Sequence, residues 1–260
     1  MRPSKLFVWL LPLVGLFSLG AHADTAVDPA QALHLLSYLA ADYPATVADG
    51  KVINNSEYKE QLEFVGNLHS LILTLPARPE RADLEKDAAS LKQAIEQRQP
   101  GKQVAQQARH LEARVADIYQ VVQTPAITPD PARGAEVYAQ QCSICHGDAG
   151  KGDGPAGIGL EPPPANLTDR VRLDQLSLYD LRNVIGLGVS GTDMPAFADQ
   201  LDERQRWDLA SYVASLSAGQ AKVDPAHAYP LATLSTQTPA DVADHDGEAA
   251  AESFRALRAH

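Results

Sequence analysis

The sequence is poor in sulfur, with two cysteines and two methionines among 260 residues. Cys142 and Cys145 stand three positions apart, and Met194 is the one methionine besides the initiator. So few cysteines exclude a fold held by several disulfides, and they exclude a zinc site built from two cysteine pairs. Whatever chemistry the thiols perform is therefore confined to one short stretch of chain.

Long apolar runs and excess positive charge are also missing. After Asp24 no window reaches the roughly 20 apolar residues that a membrane-spanning helix needs, so we expect no membrane span in the mature chain. The formal net charge is -11, which argues against nucleic acid or anionic lipid as a partner. An acidic surface suits cationic partners, metal ions included, although solubility alone also explains it.

The first 23 residues have the pattern of a secretory signal peptide. Arg2 and Lys5 precede an apolar run, and the small-residue sequence Ala21-His22-Ala23 follows it. The run is short for a membrane anchor, which is the alternative. We therefore predict cleavage after Ala23 and export to the periplasm.

The remainder divides into helical units and linkers. Apolar residues recur at steps of three and four between Asp28 and Val122, which predicts a small antiparallel helical bundle in residues 24–122. Closely spaced prolines mark a linker at 123–130. A second compact unit is predicted at 131–217, and residues 218–260 are expected to form a loosely packed tail with one late helix near Glu248 to Arg258. The fold class predicted is all-α.

The sequence Cys142-Ser143-Ile144-Cys145-His146 is the attachment pattern of covalent c-type haem. Two thiols a helical turn apart form thioethers with the vinyl groups, and the adjacent imidazole reaches the iron. A thioredoxin-like redox pair would need a strand before the motif, a zinc site would need more ligands, and a disulfide at this spacing is sterically poor. One covalent haem c is therefore predicted.

Met194 is the candidate for the sixth iron ligand. It lies in the loop sequence "GVSGTDMPAF", where glycines and a proline allow the chain to approach the iron. The alternative is a methionine that fills the core. Ligation by His146 and Met194 would leave no open position for substrate, which favours electron transfer over catalysis and makes an enzyme the less favoured class.

Residues 131–217 resemble a class I cytochrome c. The resemblance rests on an opening helix with Gly134 and Tyr138, on "CSICH", on the loop "GLEPPPANL", on "GTDMPAF" and on an amphipathic closing helix. It implies thioethers at Cys142 and Cys145, axial ligands at His146 and Met194, and packing of Gly134 and Tyr138 against the helix that bears Tyr212. It also implies that Pro163 or Pro164 lies along the haem.

The order of signal peptide, helical segment "DYPATVADGKVINNSEYKEQLEF" and cytochrome c resembles the periplasmic N-terminal portion of the cytochrome-fused bacterial iron permeases. The Arg-Glu-x-x-Glu signature and the membrane helices of that high-affinity iron transporter family are absent from this sequence. The chain is then either the soluble part of a longer protein or a separate subunit. The resemblance implies a periplasmic electron acceptor beside an iron uptake system, with iron ions and a membrane iron permease as partners.

Three glutamates of the bundle are candidates for an iron site. Glu57, Glu60 and Glu63 recur at steps of three along one predicted helix, and carboxylate oxygens suit iron ions. The alternative is a solvated acidic face on an amphipathic helix. His34 and His110, within predicted helices, are assigned packing or surface roles.

Two functional classes follow from these patterns. In the first, the chain is a redox accessory module of iron uptake that accepts an electron from Fe(II). In the second, it is a general periplasmic electron carrier for a dehydrogenase or terminal oxidase, and the bundle is a docking module for a redox partner protein.

Overall fold

The structure is a computed structural model that describes residues 28–259. The predicted signal peptide, residues 1–23, lies outside the described residues. The described chain is helical apart from one short antiparallel hairpin, so the predicted all-α class is confirmed. No helix between residues 28 and 259 is long and apolar enough to cross a membrane.

The first four helices form an up-and-down bundle. Each packs against the next in sequence, and the first also packs against the fourth, which closes the ring. The helices start where capping residues allow: the Asp28 carboxylate accepts a bond from the Ala30 N–H at 2.9 Å, and the Asn54 side chain accepts one from the Glu57 N–H at 3.4 Å. The elements are α1 (Pro29–Asp42), β1 (Val47–Ala48), β2 (Lys51–Val52), α2 (Asn55–Thr74), α3 (Arg81–Glu96) and α4 (Gly101–Tyr119).

Five further helices form the unit that contains the two cysteines. The opening helix crosses the closing helix, and the latter also packs on the helix before it. A long connection, whose regular structure is one turn of 3-10 helix at Pro155–Gly157, separates the short second and third helices. The elements are α5 (Pro131–Gln141), α6 (Ser143–His146), α7 (Arg170–Leu173), α8 (Leu178–Leu187) and α9 (Glu203–Ala218).

The C-terminal region differs from the loosely packed tail with one late helix that the sequence suggested. It forms three helices, α10 (Leu231–Thr236), α11 (Pro239–Asp246) and α12 (Glu248–Arg258), and the last packs against α9. Phe254 is fully buried, and its ring meets that of Tyr229 edge to face at 5.0 Å. The Ala-, Thr- and Asp-rich composition of the segment concealed this small core.

Two arginines of α12 attach the C-terminal helices to the preceding unit of the chain. Arg255 forms a two-pronged ion pair with Asp174, with distances of 2.8 and 2.7 Å from its Nε and Nη2. Arg258 donates to the backbone oxygen of Leu176 at 2.9 Å, and its own carbonyl accepts a bond from the Ser211 hydroxyl at 2.7 Å. Because these side chains are buried, loss of either set of bonds would leave unpaired polar groups in the interior.

One hydrophobic core runs through the bundle and through the unit of helices α5 to α9, which contains the cysteine motif. It includes residues of α1 and α4 together with residues of α8 and α9. Helix α1 lies between the two units, since it packs against α2 and α4 on one side and against α8 on the other. The cytochrome-like unit is therefore held directly by the first helix of the bundle.

We expect Phe254→Ala to lower the free energy of unfolding by about 3 to 5 kcal/mol, the usual cost of removing a buried phenylalanine. Urea unfolding of the full chain measures it. The control is Val223→Ala, since Val223 is 43% exposed in the same region and should cost little. A loss as small for Phe254→Ala as for Val223→Ala would mean that the C-terminal region is loosely packed after all.

Candidate haem-binding site

The cysteine segment continues the hydrogen bonding of the opening helix. The Cys142 N–H donates to the Tyr138 carbonyl at 2.9 Å, and the His146 N–H donates to the Cys142 carbonyl at 2.9 Å. Helix α6 and its N-terminal flanking residue thus hold Cys142, Cys145 and His146 within about one turn. Both cysteines are free and half-buried, so both thiols are available for bonds to a cofactor.

The chemistry of the first thiol argues against a dithiol redox centre. Burial, and next the neighbouring Cys145, raise the pKa of Cys142 to about 11. Catalytic redox motifs lower the pKa of the attacking cysteine so that a thiolate forms near neutral pH. Cys142 is instead a neutral thiol there, which does not fit a thioredoxin-like role.

His146 is oriented by the backbone of the loop that follows. Its Nδ1–H donates to the Ala165 carbonyl at 3.1 Å, so Nε2 carries the lone pair, as in metal-ligating histidines. Burial lowers the pKa of His146, the bond to Ala165 opposes that shift, and the charge of Arg172 lowers it further. The imidazole is therefore neutral at pH 7 and suited to bind iron.

The glycine-rich sequence after His146 lets the chain pass close to the proline loop. A Cβ atom at Gly152 would lie 2.4 Å from the Pro164 oxygen, and one at Gly157 would lie 2.6 Å from Pro164 Cγ. Both contacts are too close for any side chain. Pro164, one of the two prolines expected along the haem, is thus fixed against this glycine loop.

Met194 lies on a tightly bonded loop. Its N–H donates to the Thr192 hydroxyl oxygen at 3.1 Å, and its carbonyl accepts from the Val189 N–H at 3.1 Å. Gly188 has a φ of +69°, and a Cβ there would lie 2.7 Å from the Met194 oxygen. Met194 is half-buried and does not belong to the hydrophobic core, in contrast to a gap-filling methionine.

The crossing of α5 and α9 frames the site. A Cβ on Gly134 would lie 2.1 Å from the Asp208 backbone oxygen, so only glycine allows the two helices to approach this closely. The Tyr138 and Tyr212 rings contact each other with centroids 5.1 Å apart, and the Tyr138 hydroxyl donates to the Gly147 carbonyl at 2.7 Å. This is the packing that the resemblance to class I cytochromes implies.

These residues fit haem c. The donor set comprises two free thiols on one helical turn, an imidazole whose Nε2 is available, and a thioether on a loop outside the core. Glycines that admit no side chain line the chain around them. Soft sulfur and imidazole ligands are those that suit haem iron.

Sequence reasoning missed three residues that connect this site to the bundle. The His34 Nε2–H donates to the Gly188 carbonyl at 3.0 Å, so His34 has more than the packing role assigned to it. Asp42 and Arg172 form a two-pronged ion pair between α1 and α7. One signal was present in the sequence: His34, Tyr38 and Asp42 recur at four-residue spacing on a largely apolar helix, which places them on one side of it.

The three candidate glutamates, Glu57, Glu60 and Glu63, all lie on α2. Burial raises the pKa of Glu60, and the charges of Glu57, Asp42 and Glu63 raise it further, so these carboxylates lie within electrostatic range of one another. Among residues 28–259, however, no group of three or more His, Cys, Asp or Glu side chains is arranged to hold a metal ion. The structure therefore does not bring the glutamates together as a preformed metal site.

A separate cleft of about 1270 Å³ lies between α4 and the C-terminal helices. Its lining includes the carboxyl groups of Glu112 and Asp180. Burial, and next the charge of Asp180, raise the pKa of Glu112 well above its usual range. No lining residue comes from the segment Cys142 to His146 or from the Met194 loop, so this cleft is distinct from the haem-binding site.

Two family models match successive parts of the chain. The model described as iron permease-associated 4-helix bundle domain matches residues 21–124, and the model described as cytochrome C oxidase, cbb3-type, subunit III matches residues 129–213. The fold and site define a c-type cytochrome joined to a helical bundle. The chain therefore contains an iron permease-associated four-helix bundle domain followed by a cytochrome c domain, as the sequence analysis expected.

Curated relatives match the cytochrome region. The Cbb3-type cytochrome c oxidase subunit FixP of Bradyrhizobium diazoefficiens is 35% identical over 91 residues, which cover 35% of this chain and 29% of that protein. FixP of Azorhizobium caulinodans is 34% identical over 96 residues, which cover 37% of this chain and 30% of that protein. The chain thus spans less than a third of the length of the curated relatives it matches.

Among solved structures, a reducing HAO-like protein complex from Kuenenia stuttgartiensis matches with 25% identity. The match covers 44% of this chain and 60% of that chain, with a TM-score of 0.31.

The cytochrome c domain implies haem c and electron transfer.

Gly134→Ala tests the helix crossing that frames the site. We expect it to destabilise the protein by about 1 to 3 kcal/mol or more, because the added methyl overlaps the Asp208 backbone. The matched control is Gly66→Ala in α2, where a Cβ meets nothing within 4 Å and should stabilise the helix by about 0.5 to 1 kcal/mol. Thermal or urea unfolding measures the change in the free energy of unfolding for both variants. If Gly134→Ala stabilises the protein as Gly66→Ala does, the close approach of α5 and α9 is wrong.

Proposed function

We propose that the chain is a periplasmic monohaem c-type cytochrome that transfers one electron at a time as a redox accessory module of an iron uptake system. The observation that carries the proposal is the direct packing of an iron permease-associated bundle against a cytochrome c domain, through α1 and α8. Periplasmic location rests on the predicted signal peptide. A membrane iron permease is the partner that the bundle's family suggests.

In this proposal, one haem is bound by four side chains. Cys142 and Cys145 would form the thioethers, and His146 and Met194 would bind the iron. The sequence has no further cysteine for a second attachment site. When bound, the group would supply a one-electron couple whose potential is raised by His/Met ligation. The chain's own contribution is to hold His146 through Ala165, and Met194 through Thr192 and Val189.

Acidic side chains of the bundle lie near its contact with the cytochrome domain. Asp42 pairs with Arg172 of α7, and Glu60 lies within electrostatic range of both Asp42 and Glu57. We propose that iron passes this face as substrate: each Fe(II) gives one electron to the cytochrome domain and leaves as Fe(III). Because the glutamates form no preformed site, iron would be attracted there transiently rather than stored.

A second candidate function has its own supporting observation. The cytochrome region matches the cbb3-type oxidase subunit III model and FixP proteins. A general periplasmic carrier that serves a terminal oxidase or a dehydrogenase would use the same haem-binding residues. In that case the bundle would be a docking module and would have no direct influence on Fe(II).

Met194→Ala tests the axial ligand. We expect a lower haem potential and rapid binding of cyanide, because the thioether that raises the potential and occupies the sixth position is gone. Optical redox titration and cyanide binding measure the two effects. An unchanged potential together with unchanged cyanide binding would remove Met194 from the iron.

A second experiment separates the two functions. The oxidised holoprotein is mixed anaerobically with Fe(II), and reduction is followed in the haem absorption. We expect the triple variant Glu57→Ala, Glu60→Ala, Glu63→Ala to be reduced roughly tenfold more slowly, the lower end of the rate effect of electrostatic attraction.

The control for this experiment removes the same charge elsewhere on the bundle. Glu80, Asp83 and Glu96 lie at or within α3, which packs against α2 and α4. Their triple alanine variant should be reduced at nearly the wild-type rate. Equal rates in wild type and both variants would exclude the glutamate face and favour the general carrier.

A further inference from the structure

One face of α1 is directed at the cytochrome domain. His34, Tyr38 and Asp42 follow one another at four-residue intervals and therefore lie along the same side of the helix. The rings of His34 and Tyr38 meet edge to face at 5.0 Å, and Tyr38 is buried. The residues at the two ends of this row reach different parts of the haem-binding site.

At one end, His34 reaches the Met194 loop. Its bond to the Gly188 carbonyl joins the bundle to the residue at which α8 ends and the loop begins. A Cβ on Gly188 would lie 2.7 Å from the Met194 oxygen and 2.7 Å from the Pro195 carbonyl carbon. The backbone around Met194 therefore rests directly on the residue that His34 holds.

The protonation state of His34 suits this contact. Burial lowers the pKa of His34 to about 4, and the bond to Gly188 only partly opposes that shift. The neutral ring donates from Nε2, while Nδ1 is buried without a hydrogen-bond partner in the described part of the chain. The ring thus holds a single tautomer, and its one hydrogen bond is the contact with Gly188.

At the other end, Asp42 reaches the side of the site that contains His146. The Arg172 Nε and Nη2 atoms lie 2.9 and 3.1 Å from the two Asp42 oxygens. Burial lowers the pKa of His146, and the positive charge of Arg172 lowers it further, so Arg172 lies within electrostatic range of that imidazole. Asp42 therefore fixes a positive charge within electrostatic range of one proposed ligand and partly neutralises it.

We infer that α1 is a positioning element for both proposed axial ligands, with His34 holding the Met194 loop through Gly188 and Asp42 holding Arg172 near His146. The bundle then sets the haem potential and the stability of the Met194 bond. A partner that binds the bundle and shifts α1 would alter the redox centre without touching it. This inference rests on the proposed haem ligation.

The first test concerns the hydrogen bond from His34. His34→Phe keeps a ring but removes the donor, whereas His34→Gln places an amide N–H near the position of Nε2. We expect His34→Phe to weaken the Met–iron absorption, to lower the haem potential and to bind cyanide roughly fivefold faster, the factor that loss of one ordinary hydrogen bond gives. His34→Gln should be close to wild type.

The control for this test is His110→Phe, because His110 is exposed on α4. It should leave all three readouts unchanged. The inference is overturned if His34→Phe behaves as wild type, or if His34→Gln fails as completely as His34→Phe. If His34→Phe does not fold, the Asp42 variant below decides.

The second test predicts a shift of opposite sign. Asp42→Asn leaves Arg172 without its counter-charge, and a stronger positive potential near the iron favours the reduced state, so the haem potential should rise. The matched control is Asp87→Asn, which breaks the Asp87–Arg114 ion pair inside the bundle and should leave the potential unchanged. General loosening of the protein would not move His34→Phe and Asp42→Asn in opposite directions. A potential that falls or stays constant in Asp42→Asn overturns the inference.

The wild-type spectrum distinguishes failure of the inference from failure of the proposed function. If wild type shows no Met–iron absorption, the ligation that the inference requires is wrong. If wild type shows it and neither α1 variant changes the potential, the haem site stands and only the coupling to the bundle is wrong.

Discussion

Helix α1 packs against α2 and α4 of the bundle and also against the cytochrome domain, and this double contact holds the two units together. Its apolar side closes the four-helix bundle, and its row of His34, Tyr38 and Asp42 meets the cytochrome domain. A single helix cannot move away from one unit without disturbing the other, because interiors are close-packed and side chains there have specific partners. The bundle and the haem-binding unit therefore behave as one body around α1.

This arrangement suits the proposed function, in which an iron permease-associated bundle and a cytochrome c domain serve one process. Electron transfer needs a haem whose ligands are fixed, and handling of a cation needs negative charge near the electron acceptor. Asp42 connects the two units, since it pairs with Arg172 of α7 and lies within electrostatic range of Glu60. The C-terminal helices strengthen the same body, because Arg255 and Arg258 bind Asp174 and Leu176 next to α7.

Local patterns predicted the local features. The Cys142-x-x-Cys145-His146 motif and the helical periodicity of the bundle depend on neighbours in sequence, and the sequence alone indicated both. The bond from His34 to Gly188 spans 154 positions, and that from Arg255 to Asp174 spans 81. No local pattern encodes such pairs, so the contacts of α1 with the cytochrome domain and the packing of the C-terminal helices were missed. The glutamate spacing suggested a metal site, but helical spacing alone does not bring three carboxylates to a common point.

In the proposed function, the chain binds one haem covalently, and this haem exchanges single electrons. An optical redox titration of the exported protein, combined with a measurement of haem per chain after alkaline pyridine treatment, tests it most directly. We expect one haem per chain that resists extraction by acidic solvent, and a reversible titration curve of a one-electron couple at the raised potential of His/Met ligation. Extractable haem, absence of haem or the titration curve of a two-electron couple would contradict this proposal.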